Sequence, residues 1–325
     1  MRYDYSARFV KREALYREIR ALIPGNSMPG ILPVLCLIVL FFLPRMASAD
    51  WSPLIDRLVA TGFDEPAMRA LFSRAEVRFE PGVMVSKIEE LIKRGDRKPS
   101  GVPSYNPKVV YKGFLRERVI TRGRSYLLEN TRLLDDISSK YCVPKEIVVS
   151  ILLVETRLGD FLGGRWAFNS LASMALCNDL ETIRPYLKKK LVGTRNKDLA
   201  RTICEQKADW AYAELTALLL YADWSGFDPL NIPGSIYGAI GLCQFMPSNA
   251  LSYGVDADDD GRVDLFTKKD ALHSIANYLR GHGWKCTIDR ASQLQVILDY
   301  NKSLVYANTV LAVAEKLRNK SRTKQ

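Results

Sequence analysis

Apolar residues recur at helical spacing along most of this chain, and strict alternation of apolar and polar residues is scarce. Within residues 51–60, for example, Leu54, Ile55 and Leu58 fall on one face of a helix. Asp64 is of a type that caps helices, and a second helix is predicted to begin there. The pattern predicts a mainly α fold with at most a small β element.

Breaks in this periodicity divide the chain into helices and loops. Residues 80–110 are rich in proline, glycine and charge and are predicted to be a surface loop. One long helix is predicted over 113–141, and Pro144 opens another that runs to about Leu158. The Gly/Pro-rich residues 226–255 are predicted to form a loop. Further helices are predicted over residues 165–225, 268–281 and 291–316.

The first 49 residues differ from the rest and are typical of an export signal. Basic residues lead into a 13-residue apolar run from Ile31 to Leu43, and the small residues 47–49 follow it. This order is typical of a secretory signal peptide cut after Ala49, and the run is short for a membrane span. Residues 1–49 are therefore predicted to be a signal peptide or an N-terminal membrane anchor, and the sequence leaves both open.

The charge of the chain favours an anionic partner. The full chain carries +11, and removal of residues 1–49, with seven Lys/Arg and three Asp/Glu, leaves +7. A basic exported protein suits a cell wall or an anionic membrane surface. Nucleic acid is not predicted, because the basic residues are scattered and do not interleave with aromatics. Five cysteines would remain after cleavage, and the sequence leaves their pairing open.

One carboxylate stands out because it lies on an apolar helix face. Glu155 shares that face with Ile151, Leu152 and Leu158, while Gly159 is expected to leave space beside it. An apolar environment disfavours the ionised carboxyl group and raises its pKa, which a general acid at neutral pH requires. Glu155 is therefore a candidate catalytic acid. The alternative is a buried glutamate held by an arginine or by backbone amides.

Four motifs share a common resemblance. They are Val143–Gly159 around the candidate acid, residues 169–176, residues 234–248 and residues 300–306. In this order they resemble the catalytic-glutamate segment, the following stretch, the substrate-groove loop and the C-terminal groove motif of the lytic transglycosylase B family (glycoside hydrolase family 103). Residues 51–77 also look like the family's N-terminal helical part, so the resemblance spans nearly all of the chain after the signal.

The resemblance implies a lysozyme-like, mainly α fold, similar to goose-type lysozyme, with a groove for a glycan strand. It implies a catalytic domain over 50–320, divided into an N-terminal helical part at 50–112 and a lysozyme-like core at 113–320. A monomer acting in the periplasm on peptidoglycan is expected. The substrate-binding residues that the resemblance implies are Arg184, Ser235, Gln244, Tyr300, Asn301 and Tyr306.

The chemistry implied by the family needs one carboxylate. Glu155 would first protonate the oxygen of the bond between N-acetylmuramic acid and N-acetylglucosamine. It would then accept the proton of the muramic C6 hydroxyl, which closes onto C1 and gives a 1,6-anhydro end without water. Other glycosidases use two flanking carboxylates, and the groove motifs here contain no obvious second acid.

Residues 256–270 resemble an EF-hand loop lengthened by three residues, as the family's loop is. Carboxylates occupy positions 1, 3, 5 and 9, the last being Asp264, and Gly261 falls at position 6, where a sharp turn is needed. The predicted ligands are the side chains of Asp256, Asp258, Asp260 and Asp270 and the backbone carbonyl of Arg262. A structural Ca²⁺ is predicted there, with a solvated acidic turn as the alternative.

Two other functions stay open from the sequence. A hydrolytic muramidase of the same fold would need a second carboxylate, for which Asp160 and Asp179 are the candidates. A non-catalytic peptidoglycan-binding scaffold would have no need for a carboxyl group on an apolar face. The sequence does not indicate whether strands are cut internally or from an end.

Overall fold

The computed structural model describes residues 49–94, 104–188 and 196–319, so the predicted export signal lies almost wholly outside it. No described helix is both long and apolar enough to cross a membrane. The described helices are α1 (Ser52–Ala60), α2 (Glu65–Phe72), α3 (Gly82–Arg94), α4 (Glu117–Glu129), α5 (Thr131–Tyr141), α6 (Lys145–Thr156), α7 (Ala167–Leu176), α8 (Leu180–Ile183), α9 (Lys197–Ser225), α10 (Pro247–Tyr253), α11 (Lys268–Gly281), α12 (Arg290–Tyr300) and α13 (Leu304–Arg318).

Capping residues fix where several of these helices begin. Asp64 accepts a hydrogen bond from the Ala67 backbone N–H at 2.8 Å and starts α2, as predicted. Thr267 starts α11 in the same way, and Ser303 starts α13. Because α13 carries Tyr306 in its first turn, the Ser303 cap also sets where that hydroxyl lies.

Three sequence predictions of local structure were wrong. Residues 80–110 were predicted to be a loop, but α3 begins directly after Pro81 because its apolar residues pack against the core. The helix predicted over 113–141 is interrupted at Asn130, whose side chain donates to the Tyr126 carbonyl. The loop predicted over 226–255 contains α10, since Pro247 is well suited to a first helical turn.

The core is continuous from Leu54 in α1 to Leu317 in α13. Helix α6 lies inside it and packs against α4, α5, α11 and α13, while α7 packs against α9. Along α6, Val148, Ile151 and Leu152 are wholly buried. A side chain at the C-terminal end of α6 therefore emerges from the interior of the protein.

The β structure is as small as predicted. Strands β1 (Arg165–Trp166) and β2 (Pro233–Gly234) pair antiparallel, with Arg165 opposite Gly234 and Trp166 opposite Pro233. Two further bridges connect Gly234 with Ile240 and Ile240 with Phe245. This strand pair joins the loop after α6 to the loop that carries Ser235 and Gln244.

One disulfide is formed, between Cys142 after α5 and Cys286 after α11. The cysteines Cys177, Cys204 and Cys243 are free and buried, as expected for small apolar side chains. The sequence left this pairing open. The disulfide joins segments 144 residues apart and holds α5 and α11 together, both of which pack against α6.

Candidate active site

Glu155 lies in the last turn of α6, where the helix leaves the core. Burial is the main cause that raises its pKa, from 4.5 to about 7, and the hydroxyl of Tyr306 opposes the rise by favouring the ionised form. A carboxyl group with this pKa is present in both protonation states near neutral pH. It can therefore give up a proton and take one back under the same conditions.

Two tyrosines and a cysteine surround the acid, and together we call them the Glu155 cluster: Glu155, Cys243, Tyr300 and Tyr306. The Tyr300 hydroxyl donates to the Cys243 carbonyl at 2.6 Å, and burial raises the Cys243 thiol pKa to about 12. Burial also raises the pKa of both tyrosines well above 10, and the Glu155 charge adds to that rise. Hence at neutral pH only Glu155 in the cluster exchanges its proton readily.

Tyr306 has a particular relation to the acid. Its side chain is only 4 % exposed, and its hydroxyl makes no hydrogen bond of normal geometry within the described residues. The electrostatic effect on Glu155 nevertheless shows that the hydroxyl is near the carboxylate. A ring so deeply buried offers little surface for stacking on a sugar, and its hydroxyl is the group that influences Glu155.

The turn after Glu155 is unusual, because three successive residues take left-handed backbone conformations. Arg157, Leu158 and Gly159 have φ values of 55°, 67° and 97°. The Leu158 N–H donates to the Leu152 carbonyl in a Schellman-like helix end. Left-handed non-glycine residues cost about 1–3 kcal/mol each, so the surrounding contacts must stabilise this turn.

Thr156 supplies one of those contacts. Its hydroxyl contacts the Leu242 carbonyl at 3.0 Å and so joins the end of α6 to the loop around Gln244. A side-chain carbon on Gly159 would approach Leu242 to 2.9 Å. The expectation that Gly159 leaves open space beside the acid was therefore wrong, because Leu242 occupies that space. The sequence carried no signal for the role of Thr156.

Ser235 and Gln244 organise the loop that follows β2. The Ser235 hydroxyl accepts backbone N–H groups of Ala239 and Tyr237 at 3.0 and 3.3 Å. The Gln244 amide donates to the Gly241 carbonyl at 3.0 Å and to the carbonyl of Leu162 at 3.3 Å. These bonds hold both side chains within the loop and leave the Gln244 side-chain oxygen as an acceptor. Their contact with substrate stays a prediction.

Asn301 and Arg184 lie differently. Asn301 is exposed at the end of α12, immediately after Tyr300, and its side chain makes no hydrogen bond with the part of the chain that is described. Arg184 is exposed and pairs with Glu181 at 2.9 Å. No contact within residues 49–94, 104–188 and 196–319 joins Arg184 to the Glu155 cluster. Its substrate contact rests on the resemblance alone.

The two candidates for a second catalytic carboxylate are engaged elsewhere. Asp160 is exposed and forms a salt bridge with Arg122 at 2.9 Å. Asp179 caps α8 by accepting the Glu181 backbone N–H at 3.1 Å. Neither is among the groups that influence the pKa of Glu155, and no other described carboxylate is either. Within the described residues, Glu155 therefore acts without a carboxylate partner.

The acidic loop brings three carboxylates together. Oxygens of Asp256, Asp258 and Asp260 lie within 4.8 Å of one another, and Gly261 has the positive φ of 86° that a sharp turn requires. Asp256 also accepts the N–H groups of residues 260 and 261 at 3.2 and 2.8 Å. This set of oxygen donors fits the preference of Ca²⁺.

Asp270 closes the loop from the first turn of α11. It is 1 % exposed, and its carboxylate accepts the N–H groups of Ala257 and Asp264 at 2.9 and 2.7 Å. Burial raises its pKa, and the charges of Asp258 and Asp256 add to the effect. Each carboxylate oxygen keeps a lone pair, so these hydrogen bonds are compatible with a cation ligand.

Comparison with known proteins decides the family. The family model described as the transglycosylase SLT domain matches residues 47–296. The chain belongs to this family. Over 144 residues it is 35 % identical to membrane-bound lytic murein transglycosylase B of Escherichia coli (strain K12). The matched region covers 44 % of this chain and 33 % of that protein. The match thus spans about a third of the relative's length.

Solved structures of this family share the fold. The E. coli lytic transglycosylase Slt35 in complex with calcium has a TM-score of 0.62 and 22 % identity, covering 83 % of this chain and 93 % of that one. SltB3 of Pseudomonas aeruginosa in complex with NAG-NAM-pentapeptide has a TM-score of 0.61 and 21 % identity, covering 84 % and 81 %. The predicted family and the mainly α, lysozyme-like fold are confirmed.

Proposed function

We propose that this family member is a lytic transglycosylase. It cleaves the β-1,4 bond between N-acetylmuramic acid and N-acetylglucosamine in peptidoglycan and leaves a 1,6-anhydromuramic end. The observation that carries the proposal is the half-buried, desolvated carboxyl group of Glu155, whose pKa of about 7 is influenced by a tyrosine hydroxyl and by no described carboxylate. The family membership and the glycan-peptide bound by SltB3 support the choice of substrate.

The reaction uses one acid twice. Glu155 donates its proton to the bridging oxygen, and the bond from that oxygen to the muramic C1 breaks. The carboxylate then accepts the proton of the muramic C6 hydroxyl, whose oxygen forms the new bond to C1. No water enters, and Glu155 ends protonated as it began. General acid–base catalysis of this kind contributes about 10²–10⁴-fold, and positioning by the groove supplies more.

The remaining assignments extend this proposal. Ser235, Gln244, Tyr300, Asn301 and Arg184 contact the glycan strand, and Tyr306 acts on Glu155 and the bound sugar through its hydroxyl. Residues 50–320 form the catalytic domain of a periplasmic monomer, and residues 1–49 direct export or anchor the chain to the membrane. Two observations support this location. Basic, apolar and small residues follow one another at the N-terminus, and the E. coli relative is named a membrane-bound lytic murein transglycosylase.

We also propose a structural Ca²⁺ in the acidic loop. The carboxylates of Asp256, Asp258 and Asp260 would bind it with the Arg262 carbonyl, and Asp270 would complete the set from α11. Supporting this are the convergence of three carboxylates and the calcium bound by Slt35. The ion would offset their mutual repulsion and fix the loop, which contacts α9 through the Ser225 hydroxyl and the Val263 carbonyl at 2.9 Å.

Mass spectrometry of the fragments released from purified peptidoglycan tests the function. Anhydromuramic ends, lighter by one water than hydrolytic products, are expected. Reducing muramic ends would instead identify a muramidase, and bound protein without release would identify a scaffold. Glu155→Gln should abolish release while murein binding persists. Glu146→Gln, a change of the same type about 13 Å away along α6, is the matched control and should retain release.

A further inference from the structure

A cavity of about 310 Å³ lies beside the β1–β2 strand pair. Phe227 and Phe266 form two of its walls, with ring centroids 6.2 Å apart and planes at 87°, and Pro233 of β2 forms a third. Its volume is at the lower end of the roughly 300–1,000 Å³ that ligand pockets span. It has room for one sugar ring, but not for a strand.

Trp166 lies next to one wall residue of this cavity. It is the cross-strand partner of Pro233, and side chains of such partners lie side by side on one face of a sheet. The residue is 47 % exposed, and its indole N–H donates to no group in the described part of the chain. An exposed aromatic face with an unused donor suits a ligand that is apolar on one side and polar at its edge.

Polar groups complete the lining. Arg74 binds both oxygens of Asp228 at 3.0 and 2.8 Å, which offsets the charge of that carboxylate. Asn231 donates its amide to Asp228 at 3.2 Å, and within the described residues its oxygen accepts nothing. Asp264 accepts the Phe266 N–H with one oxygen and has no described protein donor on the other. Acceptors for a hydroxyl or an amide N–H thus face an aromatic surface.

The cavity and the groove loop share one segment of the chain. Pro233 is followed by Gly234, which packs tightly on Gly163. A side-chain carbon on Gly163 would lie 2.0 Å from the carbonyl oxygen of Gly234. Ser235 comes next, and the carbonyl of Leu162 holds the Gln244 amide. Pro233 in the cavity wall and Ser235 in the groove loop are thus only two residues apart in the chain.

We propose that this cavity, extended by Trp166, binds one further N-acetylhexosamine of the glycan strand, beyond the two sugars that flank the cleaved bond. The sugar's C–H face stacks on the aromatic walls, and its hydroxyl and acetamido groups donate to Asn231 and Asp264. The proposal rests on the proposed function. It implies that long strands bind more tightly than short ones.

Calorimetric titration of the Glu155→Gln protein with peptide-free glycan strands of defined length tests this. The measured quantity is the ratio of the affinity for an eight-sugar strand to that for a two-sugar strand. Adding Trp166→Ala should lower this ratio about tenfold, in line with the loss of one aromatic stacking contact. Asn231→Ala, at an exposed position, should lower it as well, and Leu128→Ala, at a residue 78 % exposed, is the control.

An unchanged ratio in both cavity variants would overturn the proposal. An equal loss of affinity for two-sugar and eight-sugar strands is one such result, and it would mean that Trp166 contacts the sugars at the cleaved bond. If the Glu155→Gln protein binds no strand of any length, the proposed function fails together with this site. If it binds them all with an unchanged ratio, only the site fails.

Discussion

Replacing Glu155 by glutamine should stabilise the protein at alkaline pH and leave its stability nearly unchanged in acid. In the folded protein burial raises the pKa of this carboxyl group from 4.5 to about 7. Below pH 4.5 both the folded and the unfolded chain carry the proton, so the group contributes nothing. Between 4.5 and 7 only the folded chain keeps it, and stability falls as the pH rises. Above 7 the folded protein bears the full cost of a desolvated charge.

The magnitude follows from the shift. About 2.5 pKa units at 1.36 kcal/mol each give roughly 3 kcal/mol. Glutamine has a similar shape and no charge, so the Glu155→Gln protein should gain this amount at pH 8 relative to pH 4. For a domain of this size the gain corresponds to a melting temperature higher by roughly 5–10 °C.

Urea denaturation of both proteins from pH 4 to 8.5 measures the effect. The pH dependence of every other group cancels in the difference between the two proteins. Glu146→Gln reports any general effect of removing a carboxylate from α6. A difference between Glu155→Gln and the wild type that stays constant across the pH series would refute the reasoning, because the carboxyl group would then not be desolvated in the folded state.

Four further outcomes are expected. Fragment release should decline as the pH rises through about 7, because the acid must carry its proton; a pH–rate profile checks this. Tyr306→Phe removes the hydroxyl that favours the ionised acid, so the pKa of Glu155 should rise and the alkaline limb of that profile should move to higher pH. A chelator should lower the melting temperature, and Asp256→Asn should abolish this response while Asp259→Asn, outside the three-carboxylate group, should not. Reduction of the Cys142–Cys286 disulfide should cost about 2–5 kcal/mol, measurable by denaturant unfolding.

Helical spacing predicted most of the described helices, and its failures have local causes. At Pro81–Gly82 the composition indicated a loop, yet Val83, Met84 and Ile88 follow at helical spacing and are wholly buried in α3. Tertiary packing overrode the turn signal there. At Asn130 the opposite occurred, because uninterrupted apolar periodicity hid a helix end. Short-range patterns therefore indicated which faces are buried better than where helices begin and end.

The acid was predictable from sequence, but the structure that holds it was not. The residues three and four positions away on its helix already indicate that Glu155 emerges from an apolar face. The contact between Thr156 and Leu242 joins residues 86 positions apart in the chain. The side chain of the same leucine packs against Gly159. Contacts of this range depend on the assembled core and leave no periodic trace in the sequence.

A catalyst that gives and then takes the same proton is most effective when both protonation states are accessible at its working pH. Here the balance is set by two opposing influences from different helices. Burial by α6 and its neighbours raises the pKa of Glu155, and the Tyr306 hydroxyl on α13 lowers it. Burial alone would favour a neutral acid that is slow to release its proton, and the hydroxyl alone would favour a carboxylate unable to donate one. Under the proposed function the contact between α6 and α13 therefore bears on catalysis, because loosening it would shift the pKa without changing the acid.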